Sequence, residues 1–434
     1  PNTVSPLSRV SAAGGTPEVV STLDVEAGEA SHRWPEVLPG GQAVLFTAFF
    51  SGSESNVVVL TLETGEAKTV IQSGTHARYV ETGHLVYGSV DGSLLAVPFD
   101  LKRLEVTGPP VSLLEGLMVK PTLAAEFAIS PNGSLVYLAG ELADLSLVTV
   151  DRQGVEQILL EGLRLPEAPR FSPDGGRIAL AVEEGGNRDI WIYEMEQGTL
   201  SRLTFEGDNR YPVWTPAGDR VHFTTDRVST DRDLFWRLAD GSGAAELLLT
   251  HEGQVWEGAW SPDAKWLAFR AIGPTTGRDL YVLPLEGDGT ARTYLQTTFD
   301  ERSPAISPDG RWLAYASNEA GRDEVYVRAF PEPGGRWQVS ADGGTEPLWA
   351  PSGRELFYRD DDKFVAVAIE TEPVFRTGAR EVLFEGAFVA NSSHANYDIS
   401  PDGERFVLIK GSEESNQLVI VLNWFEELRR RMER

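Results

Sequence analysis

The stretch "SPDGRWLAYAS" at 307–317 joins a four-residue turn to a strongly apolar run. Proline presets φ for the second position of a β-turn, aspartate favours the turn, and glycine accepts a positive φ. The run that follows is nearly continuous in apolar residues, as expected of a strand that is covered on both faces. The stretch therefore predicts a tight hairpin turn that leads into a buried strand.

Variants of this turn recur along the chain at steps of 42 to 50 residues. A period in the forties is typical of propellers and solenoids. Helical repeats are excluded, because apolar residues do not recur at i, i+3 and i+4 over any long window. The nine turns begin at Leu38, Val80, Ser130, Ser172, Thr215, Ser261, Ser307, Ala350 and Ser400.

The runs around each turn divide a repeat into four short strands, which is the pattern of a propeller blade. The predicted fold is all-β: a single β-propeller of four-stranded blades over 1–423, with nine blades and eight as the alternative. The run "TPEVVSTL" at 16–23 is expected to complete the last blade, which would leave no free sheet edge at the seam. Residues 424–434 predict a short C-terminal helix.

Composition narrows the classes of partner. A net charge of −27 disfavours nucleic acid and anionic membranes, since both are polyanionic surfaces. The chain has no cysteine, which excludes disulfides, zinc–thiolate sites and thiol nucleophiles. No run approaches the 18 apolar residues of a membrane span, so we expect no membrane contact by this chain. We expect a monomer and, because the sequence starts at Pro1 without a leader, a fragment of a longer protein.

Four Arg-Asp dipeptides recur at steps of 44, 46 and 44 residues, with arginines at Arg188, Arg232, Arg278 and Arg322. In an up-and-down blade these turns lie on the rim opposite the Ser-Pro-Asp-Gly turns. A group repeated at one place in each blade favours a structural role, in which aspartate accepts backbone N–H groups and arginine pairs with a carboxylate of a neighbouring blade. The alternative is an arginine ring that binds phosphate or carboxylate.

The links that enter the innermost strands predict the ligand site. They surround the mouth of the central channel, and loops on a rigid scaffold often carry function. The competing interpretation is that they are solvated loops. The candidate ligand-binding residues on this channel rim are Arg33, Trp34, Arg210, Tyr211, Trp256, Glu257, Arg302 and Glu346.

Catalytic motifs are missing from the sequence. It has neither the kinase loops nor a G-x-S-x-G elbow, and its six histidines show no ligand-pair spacing. The run Asp360-Asp361-Asp362 could attract Ca²⁺, but an acidic hairpin loop is the favoured interpretation. We therefore predict no catalytic residue, cofactor or metal, and expect a protein, a peptide or a small ligand in the channel. The alternatives are a hydrolase or lyase that uses channel carboxylates with a metal, and a purely structural module.

The stretch "PVWTPAGDRVHFTTDR" at 212–227 resembles the repeat of the TolB-type propeller family. This resemblance extends over nearly the whole chain. Similar blades accompany the hydrolase domain of prolyl oligopeptidases, so an accessory propeller of a peptidase is a further alternative. The stretches "GEASHRWPEVLPGGQAVLFT" at 28–47 and "VLNWFEEL" at 421–428 resemble the C-terminal propeller of bacterial transmembrane serine/threonine kinases. That resemblance implies an extracytoplasmic sensor or docking domain of a signalling protein, and it supplies no catalytic residue.

Overall fold

A computed structural model describes residues 6–50, 54–120, 122–140, 145–184, 187–228, 232–273, 277–287, 289–372, 374–391, 393–411 and 417–432. The chain divides into two compact units. Unit 1 comprises Pro1–Ala143 and Glu413–Arg434, and unit 2 comprises Asp144–Ser412. Each unit is built almost entirely from antiparallel β-sheet.

The strands and the helix found in the described residues are β1 (Ser8–Arg9), β2 (Glu18–Val19), β3 (Glu29–Val37), β4 (Ala43–Phe50), β5 (Ser55–Thr61), β6 (Ala67–Gln72), β7 (Gly74–Val80), β8 (His84–Ser89), β9 (Leu94–Asp100), β10 (Glu105–Val106), β11 (Val111–Leu114), β12 (Phe127–Ile129), β13 (Leu135–Ala139), β14 (Leu145–Asp151), β15 (Glu156–Leu163), β16 (Glu167–Phe171), β17 (Arg177–Glu184), β18 (Asn187–Glu194), β19 (Thr199–Arg202), β20 (Arg210–Trp214), β21 (Arg220–Thr225), β22 (Asp233–Leu238), β23 (Glu246–Leu249), β24 (Val255–Trp260), β25 (Trp266–Gly273), β26 (Gly277–Pro284), β27 (Arg292–Leu295), β28 (Glu301–Ile306), β29 (Trp312–Ser317), β30 (Glu324–Ala329), β31 (Arg336–Gln338), β32 (Thr345–Trp349), β33 (Glu355–Asp360), β34 (Lys363–Glu370), β35 (Arg376–Glu385), β36 (Tyr397–Ile399), β37 (Arg405–Lys410), β38 (Gln417–Val421) and α1 (Trp424–Met432).

Unit 2 contains six four-stranded sheets in its described residues. Five of them use consecutive strands, from β16–β19 to β32–β35, and the sixth has the order β15-β14-β37-β36. Neighbouring sheets pack face to face, and the sixth sheet joins the first, since Leu147 and Val407 share a buried cluster with Ile178. The six sheets therefore close into a ring, with β16, β20, β24, β28, β32 and β36 as first strands.

The all-β propeller class is confirmed, but the predicted closure is wrong. Within the described residues of 16–23 only β2 forms, and it pairs with β1. The seam is instead the pairing of β14 with β37, from Ser146↔Lys410 to Asp151↔Arg405. The reason is burial: β14 contributes four consecutive buried residues, whereas both residues of β2 are exposed. The count of nine or eight blades in a single ring over 1–423 stays a prediction.

Unit 1 contains three blade-like sheets in its described residues: β3–β6, β7–β11, and the three-stranded sheet β12-β13-β38. Buried side chains such as Leu45 and Leu85 join the first sheet to the second, and Val86 and Leu135 join the second to the third. The predicted C-terminal helix is confirmed as α1, which buries Trp424 and Leu428. In the described part of the chain, no helix combines the length and the hydropathy that crossing a bilayer requires.

The repeated turn has the predicted geometry. Gly175, Gly310 and Gly403 have φ values of 73°, 70° and 78°, which glycine adopts without a steric penalty. In the turn at 307–310, the Ser307 hydroxyl donates to Asp309 at 2.5 Å and accepts the Trp312 N–H at 3.0 Å. This turn is thus fixed by bonds among its own residues.

Candidate functional site

A cavity of about 390 Å³ lies among the first strands of unit 2, and all six of these strands contribute to its lining. One end is bordered by prolines of the repeated turns. Four polar residues that precede these turns also line the cavity and are called its floor, namely Arg170, Glu257, Ser303 and Asp398. The prolines are Pro173, Pro216, Pro262, Pro308 and Pro401.

Three tryptophans form much of the wall, namely Trp214, Trp260 and Trp349. Their indole N–H groups are already used: Trp214 donates to the Arg170 carbonyl at 3.0 Å, and Trp349 donates to the Ala305 carbonyl at 3.1 Å. Trp260 donates to Nδ1 of buried His222 at 2.6 Å. Because the polar atom of each ring is satisfied by the protein, the rings offer apolar surface to the cavity.

Arg170 is the basic group of the cavity floor. Its guanidinium donates to the carbonyls of Pro169 at 2.8 Å, Tyr397 at 3.2 Å and Ala395 at 2.7 Å. These bonds tie β16 to β36, the first strand of the neighbouring sheet. The charge is therefore held in place by backbone dipoles rather than by a single carboxylate.

Asp398 and Glu257 are the acidic groups of the floor. Asp398 accepts the N–H of Phe171 at 2.8 Å, and burial raises the pKa of Asp398 to about 6, although nearby Arg170 opposes the shift. Glu257 accepts the N–H of Ser303 at 3.0 Å and lies 2.7 Å from a guanidinium nitrogen of Arg270. The floor thus combines one cation with two carboxylates beneath apolar walls.

The predicted rim residues are divided between the two units, and only one of them lines the cavity. Arg33 and Trp34 belong to unit 1. Of the six in unit 2, Glu257 lines the cavity. The other five, which do not line it, are Arg210, Tyr211, Trp256, Arg302 and Glu346. A role of any of these residues in ligand contact stays a prediction.

The five residues outside the cavity lie mainly in buried contacts. Arg210 pairs with Asp208 at 2.8 Å, and Arg302 pairs with Asp323. Tyr211 and Trp256 have ring centroids 5.6 Å apart.

Glu346 accepts the N–H groups of Asn391 at 3.0 Å and Asn396 at 2.7 Å. Burial raises the pKa of Glu346 to about 7. These contacts connect the links to other segments of unit 2.

A repeated bulge lies in these links. Tyr211, Ser303 and Glu346 have φ values of 54°, 53° and 55°, and the strand register shifts beside each of them. A bulge of this kind re-aims a side chain relative to a regular strand. All three residues are buried.

His394 is a buried group that sequence reasoning missed. It lies between β35 and β36, with its ring 4.4 Å from that of Tyr211. Neither ring nitrogen has a hydrogen-bond partner among the described residues. Burial, together with nearby arginines, holds the pKa of His394 well below its usual range. No local motif marks this residue, so nothing in the sequence could have found it.

The tryptophan wall did have a sequence signal. Trp214, Trp260 and Trp349 each stand directly before a repeated turn, at 215, 261 and 350. A bulky residue that closes the first strand of a blade points to the channel at a fixed height in every blade. Arg170 and Asp398 lacked such a signal, because no other blade repeats them in the same role.

The first carboxylate of the Arg-Asp motif has a structural environment, but its partners are side-chain donors rather than the predicted backbone N–H groups. Asp189 accepts the Thr204 hydroxyl at 2.8 Å and the Asn209 amide at 3.0 Å, and the same hydroxyl accepts the Ile190 N–H at 2.9 Å. In the fourth copy the buried acid is Glu324, one residue later than predicted.

The arginines of the motif pair with carboxylates, as the structural reading requires. Arg232 pairs with Asp208. Arg278 lies 3.8 Å from Asp300, and Arg322 lies 3.3 Å from Asp342. The motif therefore contributes hydrogen bonds and ion pairs that stabilise the blades.

The acidic run at 360–362 is a hairpin turn between β33 and β34, with Asp361 at a φ of 53°. Among the described residues, no group of three or more histidine, aspartate or glutamate side chains is placed to hold a metal ion.

Comparison with known proteins supports the fold. Residues 128–327 match the family model described as the TolB beta propeller domain. The Tol-Pal system protein TolB of Anaeromyxobacter dehalogenans is 31% identical over 102 residues, which are 23% of each chain. An uncharacterized protein of Agrobacterium fabrum is 29% identical over 160 residues, which are 34% of this chain and 51% of the relative. The matched regions thus span from about a quarter to about a half of these relatives.

A solved structure shows the same architecture. The putative TolB from Agrobacterium tumefaciens superposes with a TM-score of 0.53 at 19% identity, and covers 62% of this chain and 99% of that chain. At this identity the likeness concerns the fold alone. The chain is therefore similar in fold to TolB-type β-propellers.

Proposed function

We propose that this chain is a binding module whose ligand enters the cavity of unit 2, and that it catalyses no reaction itself. The observation that carries this proposal is the cavity of about 390 Å³ to which all six first strands contribute. Ligand sites in proteins are commonly concave and mostly apolar, with a few placed polar groups. The tryptophan and proline walls above Arg170, Glu257 and Asp398 have this composition.

The size of the cavity favours a narrow occupant. A volume in this range admits a small molecule, or a few side chains at the tip or end of a protein segment. Tryptophan surfaces contribute strongly to protein recognition. The charged floor would then fix the polar end of the occupant by hydrogen bonds.

The engagement of the floor carboxylates supports binding rather than catalysis. Asp398 already accepts a backbone N–H, and Glu257 is paired with Arg270. A general acid or base needs a proton-transfer contact with a substrate. Carboxylates that already bond to other protein groups are better suited to holding a ligand in place than to transferring a proton.

The relatives favour a protein as the partner. One of them is named as a protein of the Tol-Pal system, and this chain shares its propeller repeat. The resemblance of 28–47 and 421–428 to kinase-associated propellers favours a sensor domain of a bacterial signalling protein. An extracytoplasmic location belongs to the same proposal.

A cavity-filling variant tests the proposed site. Peptides selected on the chain from a random display library are titrated against it, with tryptophan fluorescence as the signal. Ala259→Phe narrows the cavity, and we expect it to weaken binding at least tenfold. Ala67→Phe places the same ring on an exposed strand of unit 1 and is expected to leave binding unchanged.

Two outcomes would contradict the proposed site. In one, Ala259→Phe binds like the parent chain. In the other, Arg210→Ala or Trp256→Ala, which alter residues outside the cavity, abolishes binding while Ala259→Phe does not. The second result would place the ligand site at the links that enter the innermost strands, as predicted from the sequence.

A further inference from the structure

Unit 1 has a cavity of its own, with a volume of about 440 Å³. It lies among the first strands β3, β7 and β12, and none of its lining residues belongs to the cavity of unit 2. Helix α1 contributes Phe425, whose ring packs so closely on Gly133 that a Cβ added there would lie 2.7 Å from it. The cavity therefore has fixed walls and the size of a small-molecule site.

Arg78, the one cation of this lining, is already balanced within the cavity. Its guanidinium donates to the Glu36 carboxylate at 2.9 Å and to Nε2 of His76 at 2.8 Å. The second oxygen of Glu36 accepts the Tyr79 N–H at 2.9 Å. Burial and the charge of nearby Arg78 lower the pKa of His76, so this ring is neutral at neutral pH. The positive charge of Arg78 is thus matched by Glu36.

Glu81 is the other charged residue of the lining. Its side chain is exposed, and within the described ranges its carboxylate has no ion-pair or hydrogen-bond partner. The lining therefore carries one unbalanced negative charge, on a chain whose net charge is −27. A field of this sign raises the local concentration of cations and repels anions.

Aromatic rings form a large part of the walls. They belong to Tyr79, Phe127, Phe425 and neutral His76, and the His76 ring lies 5.4 Å from that of Phe127. The face of an aromatic ring attracts a cation that lies within about 6 Å of its centre. Ile129 and other aliphatic side chains complete the lining. The walls thus offer one surface for a cation and another for an apolar stem.

We propose that the cavity of unit 1 binds an organic ammonium group on an apolar stem, supplied by a lysine side chain or by a small amine. The ammonium group pairs with Glu81 beside the aromatic rings, and the stem contacts the aliphatic wall. A carboxylate is the rival ligand, because Arg78 also lines the cavity. It would meet the charges of Glu36 and Glu81 in the same space. This site goes beyond the ligand proposed for unit 2 and does not depend on it.

Titration of the full chain with three probes that share a four-carbon stem tests the charge of the ligand. The probes are n-butylammonium, 1-butanol and pentanoate, and ligand-observed NMR measures their binding at millimolar concentrations. We expect n-butylammonium to bind most tightly and to lose affinity as salt screens the attraction. Tighter binding of pentanoate would overturn the proposal in favour of Arg78 as the anchor. Equal binding of the three probes, or binding of none, would overturn it as well.

Glu81→Gln tests the place of binding. Loss of this charge should weaken n-butylammonium binding roughly threefold to fivefold, the range of an exposed ion pair. Glu63→Gln is the matched control, since Glu63 is an exposed residue of unit 1 outside the cavity, and it should bind like the parent. Equal affinities of the two variants would exclude this cavity. Ala259→Phe narrows the cavity of unit 2 and should leave n-butylammonium binding unchanged, whereas a loss would place the ammonium site in unit 2.

A peptide distinguishes the two sources of the ammonium group. A blocked pentapeptide with one lysine among glycines carries the same stem and charge as n-butylammonium. Tighter binding of the peptide would identify a protein segment as the ligand, and weaker binding would identify a small amine. In both cases a peptide with norleucine in place of lysine should bind more weakly than the lysine peptide. Equal binding of these two peptides would contradict recognition of the charge.

Discussion

Trp214 donates its indole N–H to the backbone carbonyl of Arg170 at 3.0 Å, which links the first strands of two neighbouring blades. Trp349 makes the same bond to Ala305 at 3.1 Å, between another pair of blades. The residues that form the cavity wall therefore also hold the ring together. A ligand that contacts these indoles would meet a surface whose orientation is already fixed.

Trp214→Phe should destabilise unit 2, because it removes the donor of this bond, leaves the Arg170 carbonyl without that partner, and takes one ring of the buried indole out of the packing. A loss of at least about 1 kcal/mol in the free energy of unfolding is expected. Chemical denaturation measures it. Trp236→Phe is the control, since Trp236 donates only to the exposed Glu246 side chain, and it should change stability by less than about 0.5 kcal/mol. Equal losses would show that the inter-blade bond contributes little.

Ser340→Ala tests the structural role of the Arg-Asp motif. The Ser340 hydroxyl accepts the Val325 N–H at 2.7 Å and donates to the buried carboxylate of Glu324. Removing it leaves both groups without that partner, so we expect a loss of about 1–3 kcal/mol. Ser201→Ala removes a hydroxyl whose bond to the Ile192 carbonyl is 3.4 Å long, and it should have little effect. A thermal midpoint of Ser340→Ala equal to that of the parent would refute the structural assignment.

Glu346 should make stability depend on pH. Burial raises the pKa of Glu346 to about 7, above an unfolded value of about 4.3. The folded state thus binds the proton more tightly than the unfolded chain, so stability falls as pH rises between these values. Relative to Glu346→Gln, the parent should lose on the order of 1–3 kcal/mol from pH 4.3 to 7 and nothing further above that. A difference between the two proteins that stays constant with pH would contradict the shift.

A fragment that spans unit 2, residues 144–412, should fold cooperatively, because it contains both sides of the β14–β37 seam. A fragment of residues 164–412 lacks β14 and β15 and leaves the apolar faces of β36 and β37 uncovered. Circular dichroism with thermal melting should show a sharp transition for the first fragment and a broad one for the second. If both melt alike, the ring does not depend on this seam.

The blades could be predicted from the sequence, but the pairing of strands that closes the ring could not. The turn at 307–310 and the strand after it are local, so residue chemistry alone determines them. The seam joins residues such as Val148 and Leu408, which are far apart in sequence, and the apolar run at 16–23 competed for the same role. Likewise, Glu257 and Glu346 occupy equivalent places in the repeat, but only Glu257 lines the cavity, and their different partners, Arg270 for Glu257 and the Asn391 and Asn396 N–H groups for Glu346, come from distant parts of the chain.

The seam also determines how unit 2 would respond to mechanical load. Its chain enters at β14 and leaves at β37, and the first pair of the ladder, Ser146↔Lys410, lies at the end where both connections emerge. Tension applied to these two connections would act on the pairs one after another, from Ser146↔Lys410 towards Asp151↔Arg405. Strands loaded in this way unzip at lower force than strands pulled past each other in shear. The buried residues of the seam thus stabilise the ring against thermal unfolding. Tension on its two connections, however, would separate β14 from β37 progressively from one end.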